Sequence, residues 1–113
     1  MPKLVQHQGT MVVEMPPDLD HGETVLAQME DLLVDLTDRS PQVVVDLTAS
    51  PYLPGSLLGV LVRHLQRVRK SGGRMVVVST PLQREVFELS QLERLVTLTT
   101  SRDEALSVLA ASA

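Results

Sequence analysis

The chain has 113 residues, 43% of them apolar, and a formal net charge of −4; this fits one domain with one core and leaves no room for a second. Cysteine is absent and Tyr52 and Phe87 are the only aromatics, which excludes disulfides and thiolate metal sites and leaves almost nothing to stack on nucleic-acid bases. The acidic balance also argues against binding a phosphate backbone, which rests on Lys and Arg.

Met1-Pro2-Lys3-Leu4-Val5-Gln6 lacks the long apolar stretch of a signal peptide, and no apolar run approaches the ~20 residues that span a bilayer. The reading is a single cytoplasmic domain over residues 1–113, with neither membrane insertion nor a nucleic-acid partner.

Along the chain, Leu4 to Gln8 and Met11 to Met15 are two β-prone runs on either side of Gly9-Thr10, the pattern of a hairpin. Pro16-Pro17 ends regular structure, since proline lacks the ladder donor, and Asp18-Leu19-Asp20-His21-Gly22 reads as a loop. Val25, Leu26, Met29, Leu32, Leu33 and Leu36 then recur at helical spacing, predicting a helix over 24–36 with Glu23 at the positive end of its dipole. Val43-Val44-Val45-Asp46-Leu47 is a β-branched run, as expected for a strand buried on both faces.

After Pro54-Gly55-Ser56 a second helix carries Leu57, Leu58, Leu61, Val62, Leu65 and Val68 inward and ends at Ser71-Gly72-Gly73. Met75 to Val78 is another buried strand. Thr80 is placed as N-cap and Pro81 as first residue of a third helix holding Leu82, Val86, Phe87 and Leu89. Val96 to Thr99 is a short strand, and Ser101-Arg102-Asp103-Glu104 a capping box for a final helix with Leu106, Val108 and Leu109. The expected class is α/β, order ββαβαβαβα, with a mixed, mostly parallel sheet.

Several side chains invite chemistry. Asp20 and Asp46 lack the third ligand of a Mg²⁺ site or a partner nucleophile, so loop solvation and capping are their expected roles. His7, His21 and His64 show no metal-ligand spacing and read as surface or strand residues. Arg63, His64, Arg67, Arg69 and Lys70 form one basic patch, read by default as the solvated face and C-terminal turn of a helix, with contact to an acidic partner as the alternative. Ser71-Gly72-Gly73 closes a helix instead of opening one and is no phosphate cradle. No metal, cofactor or catalytic residue is expected.

Three stretches in order resemble the STAS domain family, in particular its bacterial anti-sigma factor antagonists: Asp18-Leu19-Asp20-His21; Val43 to Thr48 followed by Tyr52-Leu53-Pro54-Gly55-Ser56-Leu57-Leu58-Gly59-Val60-Leu61; and Gly72-Gly73-Arg74 with Pro81, Phe87, Leu89-Ser90 and Leu92. The last set is similar to the family's Gly-Gly, strand, Pro and Phe-x-x-Ser/Thr-Gly-Leu pattern. The resemblance spans nearly the whole chain and implies a STAS-like fold. Aligned on Leu58-Gly59-Val60-Leu61, the family's Asp falls on Pro54, its phosphoacceptor Ser on Gly55, its second Ser/Thr on Ser56 and its Gly on Leu57. Gly55 has no hydroxyl. Ser56 is then either an N-cap or an acceptor displaced by one residue, at a helix start where backbone amides and dipole favour an anion.

The resemblance implies a non-enzymatic regulatory module that binds an anti-sigma factor or a related serine-kinase-like switch protein. Its partner surface would comprise Asp20, Thr48, Pro54, Gly55, Ser56, Leu57, Leu58 and Thr80, with Leu57 or Leu58 supplying apolar contact area. The alternative is an accessory subunit of a lipid-trafficking ABC transporter, meeting its ATPase, or a stressosome-like scaffold. The partner's identity and the oligomeric state stay open at this level.

Overall fold

Valine runs build the centre of the structure, a computed structural model that describes residues 3–7, 9–15, 27–28, 31, 42–50 and 55–111. The strands are β1 (Lys3–His7), β2 (Thr10–Glu14), β3 (Gln42–Asp46), β4 (Arg74–Val78) and β5 (Thr97–Thr99). They form one sheet in the order β1-β2-β3-β4-β5. The first pair is antiparallel and the other three are parallel. Around them lie α1 (Gly55–Lys70), α2 (Pro81–Leu89), a short 3-10 turn (Leu92–Arg94) and α3 (Arg102–Ala111). This is the expected mixed α/β class. Of the helix predicted over 24–36, Ala27, Gln28 and Asp31 are described, and all three are helical; the rest lies outside the described residues.

Because successive strand residues point to opposite faces, the valines divide between the two faces of the sheet. Val13, Val43, Val45, Met75 and Val77 pack with α1, Phe87 and Val96 on one face. Val12, Val44, Val76 and Val78 pack with Ala105 and Leu109 of α3 on the other. Both faces being covered explains why these strands read as unbroken apolar runs. The same alternation puts the strand-end residues Glu14 and Asp46, in register with each other and with Val78, on the α3 face.

The β1–β2 hairpin forms as expected, with His7 opposite Thr10 and Gly9 at φ +84°. On α1 the buried stripe is Leu57, Leu58, Val60, Leu61, His64, Leu65 and Val68. His64 is thus a correction: it is 2% exposed, because the i, i+3, i+4 repeat that carries Val60, Leu61 and Val68 inward carries position 64 with them. At the far end, Gly72 sits at φ +80°, Gly73 N–H donates to the Val68 carbonyl (2.8 Å) and Gly72 N–H to the Arg69 carbonyl (3.1 Å). That pairing is a Schellman motif.

Past α2 the backbone turns through Gln91, the one non-glycine at positive φ (62°) among the described residues. In the Phe-x-x-Ser/Thr-Gly-Leu pattern this position carries glycine. A left-handed conformation costs an L-residue about 1–2 kcal/mol, offset in part by the greater freedom glycine has when unfolded. Gln91→Gly is therefore expected to stabilise the domain by roughly 0.5–1 kcal/mol, read as a higher urea midpoint at unchanged m-value. A lower midpoint would show that the Gln91 side chain compensates for its backbone.

Candidate functional site

The carboxyl ends of β2, β3, β4 and β5 lead into the helix starts and the segments joining them, the edge where open parallel sheets place their functional groups. β3 ends in Asp46, whose Oδ1 accepts from the Thr48 backbone N–H (2.9 Å) and the Thr48 hydroxyl (2.6 Å). Its Oδ2 accepts from Arg102 Nε at 2.7 Å. Arg102 reaches on with Nη2 to Glu14 Oε1, also at 2.7 Å. Glu14 and Asp46 are lateral neighbours on adjacent strands, and like charges set side by side repel. Arg102, the first residue of α3, places one guanidinium between them and ties the helix to two strand ends.

Burial pushes the Asp46 carboxyl up, but the hydrogen bonds from Thr48 and Arg102, with the attraction of the guanidinium, outweigh it and hold it below the ordinary carboxylate value. The bonds to Asp46 and Glu14 push Arg102 further up. Asp46 is therefore an anion with a structural task, and a weak base for the Thr48 hydroxyl that donates to it.

A second tie crosses the same edge. Thr80 caps α2, as expected from Thr80-Pro81, and does so in a reciprocal box that was not expected: Gln83 N–H donates to Thr80 Oγ1 (3.1 Å) and Thr80 N–H donates to Gln83 Oε1 (3.0 Å). The amide Nε2 of Gln83 points the other way and donates to the Leu47 carbonyl (2.8 Å) and the Ser50 carbonyl (2.6 Å). One buried glutamine thus joins the α2 cap to the segment after β3. The box at α3 is only half formed. Glu104 N–H donates to Ser101 Oγ, but the Glu104 carboxylate accepts from Thr100 instead of the Ser101 N–H.

Beside these ties α1 begins. Gly55 and Ser56 are exposed, and the amides of a helix's first turn have no intrahelical acceptor. The helix starts at Gly55, so Ser56 lies within the first turn and not at the cap, a correction to the N-cap reading. Gly55 is not demanded by the backbone: its φ is ordinary and an added Cβ meets nothing within 4 Å among the described residues.

Of the residues predicted for the surface, Thr48, Gly55 and Ser56 are exposed and Thr80 is half-buried. Leu57 and Leu58 are corrected: at 0% and 8% exposed they belong to the core, because they sit on the α1 face that packs against the sheet. Asp20 and Pro54 lie outside the described residues. Sequence reasoning missed the ties of Gln83 and Arg102, and also Leu82, which is 67% exposed in the first turn of α2. Its place beside the Thr80 cap was the available signal. Among the described residues no group of three or more His, Cys, Asp or Glu is arranged to hold a metal, and no helix is long and apolar enough to cross a membrane.

The STAS domain family model matches residues 1–105. This chain belongs to the STAS domain family. Solved structures agree on the fold. An anti-sigma-factor antagonist (STAS) domain protein from Planctomyces limnophilus is 19% identical with a TM-score of 0.81, covering 96% of each chain. An anti-sigma factor antagonist from Mycobacterium paratuberculosis is 23% identical with a TM-score of 0.77, covering 96% of this chain and 92% of its own. The Bacillus cell fate determinant SpoIIAA in its phosphorylated form is 16% identical with a TM-score of 0.69, covering 95% and 97%. The STAS fold of this chain is thus the one that anti-sigma factor antagonists use.

Proposed function

We propose that this STAS domain is a non-enzymatic, cytoplasmic binding module of the anti-sigma-factor-antagonist type, which docks an anti-sigma factor or a related serine-kinase-like switch protein. The docking surface combines Thr48, Gly55, Ser56 and Thr80 at the carboxyl edge of the sheet with Asp20 and Pro54, which the family resemblance adds, and Leu57 and Leu58 support the first turn of α1 from beneath. The observation that carries the reading is the exposed first turn of α1, set on a strand edge held by the Arg102 and Gln83 ties. A pre-ordered edge loses little entropy on binding, and exposed Leu82 beside it offers the apolar contact that Leu57 and Leu58 do not. Catalysis is no part of the proposal, since Asp46 is committed to Arg102 and Thr48.

In this reading phosphorylation does not release the wild-type protein, because the acceptor position is Gly55. A phosphate on the first turn of α1 would add about 1.5–2 negative charges, a switch this chain lacks. The test is incubation with ATP and the anti-sigma kinase from the same host, followed by mass spectrometry and a binding assay. Wild type is expected to bind and stay unmodified. Gly55→Ser, whose Cβ meets nothing within 4 Å among the described residues, is expected to fold with a stability change within about 0.5 kcal/mol, to gain one phosphate and to dissociate. Phosphate on Ser56 of the wild type would restore the switch at the neighbouring residue. Absence of binding, together with capture of an ATP-binding-cassette ATPase from the host, would replace this reading by the transporter-subunit one.

A further inference from the structure

Charge is unevenly divided in this chain. Of its ten Lys and Arg residues, four (Arg63, Arg67, Arg69 and Lys70) lie on α1, which carries no Asp or Glu. The rest of the chain then holds six cations against fourteen acids. Arg63 and Arg67 are four residues apart and Arg67 and Lys70 three, so like charges share one helix face, an arrangement that costs a few tenths of a kcal/mol per pair. These residues line a groove of ≈ 590 Å³ with His64, Gln66 and Arg69, and none of its described lining residues is aliphatic or aromatic apart from the His64 ring.

The ordinary use of cations at this point is to bond the last carbonyls of a helix. Here the Arg67, Val68 and Arg69 carbonyls already accept from the amides of Ser71, Gly73 and Gly72, and Ser71 Oγ also bonds Val68. Arg69 is held in place through its Nη2 bond to the Leu95 carbonyl (3.0 Å). Arg63 has a further partner of its own; Arg67, Arg69 and Lys70 still make the groove cationic beyond what capping this helix needs, and the Arg69 charge is fixed in advance.

We propose that this groove is a second docking surface, which takes an acidic segment of a protein partner. Residues 63–70 run ~10 Å along the helix, the length of about three extended peptide residues, and charge complementarity selects an acidic segment. A nucleic acid fits less well. The sole described aromatic, Phe87, is buried and unavailable for stacking, and the acidic remainder of the chain repels a long phosphate backbone. An anionic membrane surface would call for a band of exposed apolar residues beside the cations; the described lining holds none, and Leu95, whose carbonyl Arg69 bonds, is a single leucine 42% exposed. The groove lies ~16 Å along α1 from Ser56, so the inference is independent of the reading of the carboxyl edge.

The experiment follows the fluorescence anisotropy of a labelled hexaglutamate peptide titrated with the full chain at low salt. The expected result is saturable binding that weakens as salt rises and falls at least about tenfold in the double variant Arg67→Glu/Lys70→Glu. Arg84→Glu, on exposed α2, is expected to bind as wild type does, and circular dichroism verifies that each variant is folded. The proposal is overturned by no binding to the wild type, by an undiminished affinity in the double variant, or by an equal loss in Arg84→Glu. Tighter binding of duplex DNA or of phosphatidylglycerol vesicles than of the peptide would also overturn it.

Discussion

Replacing Gln83 by Ala is expected to destabilise the domain by about 3 kcal/mol, since each buried polar group that loses its partner costs about 1–3 kcal/mol. Gln83 is 3% exposed, and its amide serves three backbone groups: the carbonyls of Leu47 and Ser50 and the N–H of Thr80. The Leu47 carbonyl keeps the Ser50 amide at 3.1 Å and Ser50 has a further interaction of its own, so the main loss falls on the Thr80 N–H. The melting temperature should drop by roughly 10–20 °C for a domain of this size. Gln83→Met separates packing from hydrogen bonding, because it keeps the volume and removes all three bonds. It is expected to be nearly as destabilising as Gln83→Ala. Recovery of most of the lost stability in Gln83→Met would mean that the cavity, and not the hydrogen bonding, carries the effect. Hydrogen exchange should rise at residues 47–50 first, because Gln83 anchors the segment that leads from β3 toward the candidate surface.

The second large effect concerns Asp46. Removing one partner of a fully buried ion pair costs about 3–5 kcal/mol, but the Arg102 side chain is 39% exposed and keeps Glu14, so about 2–3 kcal/mol is expected for Asp46→Ala. The pH dependence has a definite sign. The folded carboxyl lies below its model-compound value of 3.8, so its contribution to stability is fully present above that value. It is lost as pH falls through the lower folded value. Urea midpoints of wild type and Asp46→Ala should therefore differ at neutral pH and converge as pH falls below 3.8 and through the lower folded value. A constant difference across that range would remove the charge from the explanation. A double-mutant cycle with Arg102→Met isolates the pair itself, and a coupling energy near zero would assign the loss to the Thr48 bonds.

Both sites show what the linear pattern carries and what it omits. Strand and helix identities were legible because each rests on local periodicity or local chemistry. The valine runs mark strands buried on both faces, the three-to-four spacing from Leu57 to Val68 marks a helix, and Thr80-Pro81 and Gly72-Gly73 mark helix ends through cap geometry that spans only a few residues. The family likewise follows from short ordered motifs, and with it the expectation that Gly55 stands where relatives keep a hydroxyl.

Tertiary structure decided the rest, because the relevant partners are far apart in sequence. Arg102 lies 56 residues from Asp46 and Gln83 lies 36 from Leu47, distances over which no periodicity operates. The capping box at Ser101 drew attention to Glu104, yet it is Arg102, a residue with no role in that motif, that reaches the strand ends. Apolar identity alone did not separate Leu57 and Leu58, which face the sheet, from Leu82, which faces solvent. Sequence by itself determined the class of fold and the family and raised the expectation that Gly55 stands at the acceptor position, all of which depend on neighbours in the chain. Which side chains secure the carboxyl edge, and which remain exposed on it, was decided only when the sheet brought Glu14 beside Asp46 and the helices covered its two faces, because burial and charge pairing depend on neighbours in space.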